Sequence, residues 1–141
     1  MRRHRLATVL WFALLCWAAA VLWLSLLGPE ELPEAASLFW DKINHFAAFT
    51  VGGWLAARAL LVSRPRARHA RVAVAAVIMI AAFGAFDEAV QSLIPGRTGA
   101  DLHDWTADVL GAVTGALLSL QTYRILRTRR RAAAPGSPSS R

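Results

Sequence analysis

Leu6-Ala-Thr-Val-Leu-Trp-Phe-Ala-Leu-Leu-Cys-Trp-Ala-Ala-Ala-Val-Leu-Trp-Leu-Ser-Leu-Leu27 runs for 22 residues without a charge. As a helix it would be about 33 Å long, enough to cross a hydrocarbon core of about 30 Å. Arg2, Arg3 and Arg5 precede it, as basic residues precede a signal peptide. The run is longer than the about 7–15 residues of a signal core, and no small-x-small cleavage pattern follows. The stretch therefore reads as an uncleaved membrane helix at residues 6–27; Arg2-Arg3 alone is a weak twin-arginine signal.

Three further apolar spans follow, at about residues 43–62, 72–94 and 104–126. Gly28-Pro29, Ser63-Arg64-Pro65 and Pro95-Gly96 separate them, since proline cannot continue a hydrogen-bonded helix. The expected fold is all-α: a polytopic membrane protein of four transmembrane helices in a compact bundle. The expected membrane domain covers residues 1–126, with a disordered basic tail at 127–141. The composition agrees: 56% hydrophobic and 18% charged, against about 45–50% and about 25% in ordinary soluble domains. A single cysteine, Cys16, excludes an intramolecular disulfide framework and a cysteine-based zinc site.

The net charge of +7 points at first to nucleic acid. Its distribution excludes that reading. Counting Arg58 near the inner end of the second span, all but two of the 16 basic residues fall before the first span, between the second and third, or at the end of the fourth and beyond it. The exceptions, Lys42 and Arg97, lie in the two loops on the opposite side. The positive-inside rule then puts both termini and the loop at 64–71 in the cytoplasm. The loops at 28–42 and 95–103 lie outside, and the arginines serve as topology anchors against anionic lipid. Trp23, Trp40 and Trp105 fall near the outer interface, Trp11 near the inner one, and Trp17 and Trp54 mid-span.

All nine acids fall in or near the outer half, which topology does not require. Ionisable groups in a span cost about 2.5–3.5 kcal/mol each on insertion scales and mark function by default. Asp41 and His45 share a helix face, as do Asp87 and Gln91 and also Glu88 and Gln91. Asp104, Asp108, Gly111 and Gly115 form one stripe, in which Gly111-Ala-Val-Thr-Gly115 suits close intramolecular helix packing. His45 can act as acid or base near neutral pH, with a carboxylate such as Asp41 orienting it. Asp87, Glu88, Asp104 and Asp108 would repel one another, so that one holds a proton or several share a divalent cation. Arg97 suits a phosphate clamp. Plainer roles stand beside these: Asp41 and Asp104 as helix N-caps, Glu88 turned outward, and Arg97 as a structural ion-pair partner. Glu30, Glu31, Glu34, Asp101 and His103 read as solvated loop residues.

Four fragments in order resemble the VanZ-like family of small bacterial membrane proteins. They are Asp41-Lys42-Ile-Asn-His45-Phe, Phe86-Asp87-Glu88-Ala-Val-Gln91, Pro95-Gly96-Arg97, and Asp104-Trp-Thr-Ala-Asp108-Val-Leu-Gly111-Ala-Val-Thr-Gly115. The resemblance covers roughly residues 41–118, leaving the first span and the tail without a family signal. Asn is common in the family where Asp108 stands, and the stretch from Arg97 to Asp104 is one residue longer than usual. The resemblance implies a bacterial cytoplasmic membrane protein acting on a phospholipid or a lipid-linked cell-envelope precursor. The expected catalytic residues are His45, Asp87 (as partner of His45 or metal ligand), Glu88, Asp104 and Asp108. Asp41, Lys42, Gln91 and Arg97 are expected to bind substrate. Hydrolysis or exchange of a lipid head group is the leading reading. A non-catalytic module that binds a lipid, antibiotic or partner protein is the alternative, and a proton path is a weaker third.

Overall fold

The computed structural model describes residues 2–27, 38–95 and 101–132. Four helices follow one another, α1 (Arg2–Ser25), α2 (Leu38–Ser63), α3 (His69–Gln91) and α4 (Leu102–Ala132), with no strand among the described residues. Each is long and apolar enough to cross a membrane. The outward-facing side chains fit a lipid solvent: Phe12, Leu15, Val74, Ile78 and Leu117 are all exposed. The polar Asp87, Glu88, Gln91, Asp104 and Asp108 are buried instead. In water this arrangement would be an extensive exposed apolar surface; in a bilayer it is the expected one.

The helix ends depart from the apolar spans where local chemistry decides. α1 begins at Arg2, because arginine is a good helix former that a search for apolar runs leaves out. α3 stops at Gln91, three residues before the expected end, and Ser92 turns its hydroxyl back onto the carbonyl of Ala89. α4 begins at Leu102, and Asp101 caps it: the carboxylate Oδ1 accepts the N–H of His103 at 2.7 Å. Asp104 is thus inside the first turn and is not the cap. α2 begins at Leu38, so Asp41 also lies inside a helix. At the far end α4 runs through Ala132, so residues 127–132, placed in the disordered tail by composition, are helical. No glycine or proline interrupts that stretch before Pro135. The remainder of the expected tail lies outside the described residues.

The closest pairing is α2 with α4, and it is made by glycines. A Cβ on Gly53 would come within 2.8 Å of the Ala112 Cα, and one on Gly115 within 2.6 Å of the Trp54 amide nitrogen. Gly111-x-x-x-Gly115 therefore packs within the chain, as its position on the acidic stripe implied. Alanines 56, 57, 76, 112 and 116 continue the small-residue core, with Leu14, Phe49 and Ile80 filling it. α1 docks through Trp17, whose indole N–H donates to the Ala48 carbonyl at 2.9 Å and whose ring meets Phe49 edge-on. At the basic end, Arg3 donates to the carbonyl of Val62 at 2.8 Å, and the Trp11 indole donates to the Ser63 hydroxyl at 3.1 Å. These contacts set the start of α1 against the end of α2, and so bring Ser25, Lys42, Gln91 and Asp101 to the opposite end.

Candidate functional site

At that opposite end α2 and α4 are joined by two polar rungs. Lys42 and His45 lie three apart on α2, and Asp104 and Asp108 four apart on α4, so each pair shares a face. Close backbone approach at the glycines lets the two faces meet. Lys42 Nζ donates to Asp104 Oδ1 at 2.6 Å and stands 3.7 Å from Asp101 Oδ2. One turn deeper, His45 Nδ1 bonds Asp108 Oδ1 at 2.9 Å. Asp108 is fully buried, while the Lys42 side chain is 44% exposed at the mouth. Phe49 stacks against the His45 ring, with centroids 6.3 Å apart, and closes the floor.

α3 contributes Glu88. Its Oε2 accepts the backbone N–H of Asp101 at 2.9 Å, which ties the end of α3 to the start of α4. Glu88 is only 4% exposed, so the outward-facing alternative is overturned. The cause is that α3 has a neighbour on each flank. Successive residues diverge by about 100° on a helix, so Asp87 turns toward α1 while Glu88 turns toward α4. One ligand atom each from His45, Glu88 and Asp104 lie within 4.8 Å of one another.

Asp87 bonds Gln91 on its own helix face and Ser25 on α1, and not the expected His45. Its Oδ1 accepts the Ser25 hydroxyl at 2.6 Å, and its Oδ2 accepts the Gln91 amide at 3.0 Å. Asp108, rather than Asp87, holds His45 Nδ1. The acids thus divide into a cluster between α2, α3 and α4 and a second one joining α1 to α3. Ser25 was legible only as a hydroxyl near the end of an apolar run; its burial against a carboxylate is what gives it weight. Arg97 and the side chain of Asp41 lie outside the described residues. At the rim, the backbone N–H and ring of His103 hold the Asp101 carboxyl below its ordinary value, with Lys42 adding to the effect. Asp101 is a cap that also faces Lys42, more than a solvated loop residue.

The chemistry of the first cluster follows from its bonding. A carboxylate on Nδ1 fixes the tautomer and leaves Nε2 as the basic nitrogen of the ring. Glu88 and Asp104 beside it offer oxygen ligands, and Lys42 offers a cation reachable from the mouth.

No curated protein matches the chain, and no solved structure matches it. The profile of the VanZ/LLP1 family matches residues 7–126. That match extends through α1, which the sequence fragments had left without a family signal, and it agrees with the four membrane-embedded helices. The chain belongs to the VanZ/LLP1 family.

Proposed function

We propose that this protein is an enzyme of the bacterial cytoplasmic membrane that hydrolyses or exchanges a phosphate-bearing lipid head group, or a lipid-linked envelope precursor, at the outer leaflet. The observation that carries this reading is the His45–Asp108 pair, buried under the half-exposed Lys42 at the end of the bundle. Topology supports the outer side: arginines crowd the opposite end, which the positive-inside rule assigns to the cytoplasm together with both termini. The site lies one to two turns below the start of α4, a depth that would suit a lipid head group.

In this reading Lys42 draws the phosphate to the mouth, and Arg97 is a second phosphate-binding residue proposed from the sequence alone. His45 makes the incoming hydroxyl nucleophilic. A new P–O bond forms, the bond to the departing alcohol breaks, and that alcohol leaves with a proton. Asp108 stabilises the charge that His45 gains and keeps its ring oriented. Glu88 and Asp104 shape the pocket around the reacting phosphate, and Asp87 and Gln91 hold α3 in place from behind.

The second reading, a non-catalytic lipid- or partner-binding module, draws on the Ser25–Asp87–Gln91 cluster, whose polar groups are satisfied by helix packing. Purified protein reconstituted with a broad panel of envelope lipids separates the two by head-group mass spectrometry. Turnover by the wild type that is lost in His45→Gln is the expected result. Absence of turnover across the panel, with lipid binding retained, favours the second reading.

A further inference from the structure

The geometry points to a divalent-cation site formed by His45, Glu88 and Asp104, with Asp108 orienting the histidine. We propose it as a deepening of the enzymatic reading, on which it rests only for what the cation does to substrate. Three atoms mutually within 4.8 Å surround a point no more than about 2.8 Å from each, against metal–ligand distances of about 2.0–2.2 Å. Side-chain movements below an ångström close that gap.

An independent observation concerns Glu88 itself. Its Oε2 is held by the Asp101 amide, but its Oε1 is buried and accepts no hydrogen bond among the described residues. Glu88 is more than nine-tenths buried. A buried carboxylate oxygen without a donor is unfavourable, and native structures rarely keep one without a partner of some kind. A cation coordinated by this carboxylate would supply the missing interaction.

The histidine fits as well. Metal-ligating imidazoles usually donate their second N–H to a carboxylate, and His45 Nδ1 bonds the fully buried Asp108 at 2.9 Å. With Nδ1 given to Asp108, His45 would coordinate through Nε2. One imidazole nitrogen with two carboxylate oxygens suits Mn²⁺ or Zn²⁺ better than Ca²⁺, which takes six to eight oxygens. Three protein ligands leave positions for a phosphate oxygen and for the hydroxyl that attacks it. With Nε2 on the cation His45 would take no proton itself; the cation would lower the pKa of that hydroxyl and so replace the direct base role that His45 has without it.

The test uses the full chain, purified in detergent, stripped with chelator and titrated with Mn²⁺ or Zn²⁺. Binding is followed by elemental analysis and, for Mn²⁺, by electron paramagnetic resonance. One ion per chain is expected. Loss of a direct ligand should cost more than the about 10–100-fold typical of outer-shell changes, so Glu88→Gln and Asp104→Asn should each weaken binding by more than about 100-fold. Asp87→Asn, outside the triad, should bind as the wild type does. Melting curves identify any variant that fails to fold, and the wild-type stoichiometry does not depend on the variants. Substoichiometric wild-type binding, or full affinity in folded Glu88→Gln, overturns the site. Stoichiometric binding without lipid turnover overturns the enzymatic reading and keeps the site. Turnover that survives exhaustive chelation keeps the enzymatic reading and overturns the cation's part in it.

Discussion

Replacing Ser25 by alanine removes one hydroxyl and should loosen α1 from the bundle. The hydroxyl proton has two acceptors within reach, the Val21 carbonyl at 3.0 Å and Asp87 Oδ1 at 2.6 Å. The closer oxygen, Asp87 Oδ1, takes it. In the alanine variant Asp87 Oδ1 is left without that donor at a site 1% exposed. Leaving a buried acceptor unsatisfied costs about 1–3 kcal/mol. Taking about 2 kcal/mol, at about 2–4 °C per kcal/mol for a chain of this size, the melting temperature should fall by about 4–8 °C. Asp87→Asn is milder. Its amide oxygen can still accept from Ser25, and a flip of the Gln91 amide restores the second bond, so the expected loss is about half as large. Gln91→Glu is worse than either, since it sets two carboxylates about 3 Å apart in a buried site. Tryptophan fluorescence melts in detergent give the ranking, because six indoles report on the chain. An unchanged melting temperature in Ser25→Ala, or Asp87→Asn falling below it, would refute the reasoning.

Gly53→Leu should prevent the α2–α4 approach, because even a Cβ there meets the Ala112 backbone; loss of the monodisperse folded species on size-exclusion chromatography checks this. Lys42→Gln removes an ammonium that competes for Asp104 Oδ1, so Mn²⁺ binding should tighten severalfold while KM for a phosphate lipid rises. Opposite movement of the two constants is the diagnostic result. Asp108→Asn should lower turnover by about 10–100-fold, because the amide lacks the negative charge that favours the Nδ1–H form of His45, with a smaller effect on KM.

Much of the fold was legible because membrane spans are set by length and apolar content, which one sequence states directly. Spacing along one helix was equally legible: Asp87 and Gln91, four apart, do bond. Contacts between helices were not. Nothing in the pattern says that α4 supplies a partner of His45, or that Ser25 meets Asp87. Those pairings depend on which faces the glycines bring together. Glu88 shows the same limit: its angle from Asp87 was readable, but two flanking helices make both directions inward. Helix ends moved for local reasons, Asp101 capping α4 and arginines extending α1 and α4.

The most direct measurement of the central claim is head-group turnover by the full chain in vesicles of defined envelope lipids, read by mass spectrometry. Wild type should convert at least one phosphate-bearing lipid, and His45→Gln should abolish the conversion while melting within a few degrees of it. Equal conversion by the two proteins, or none by the wild type across the panel, would contradict the assignment of His45 and Asp108 as the centre of a lipid-modifying site.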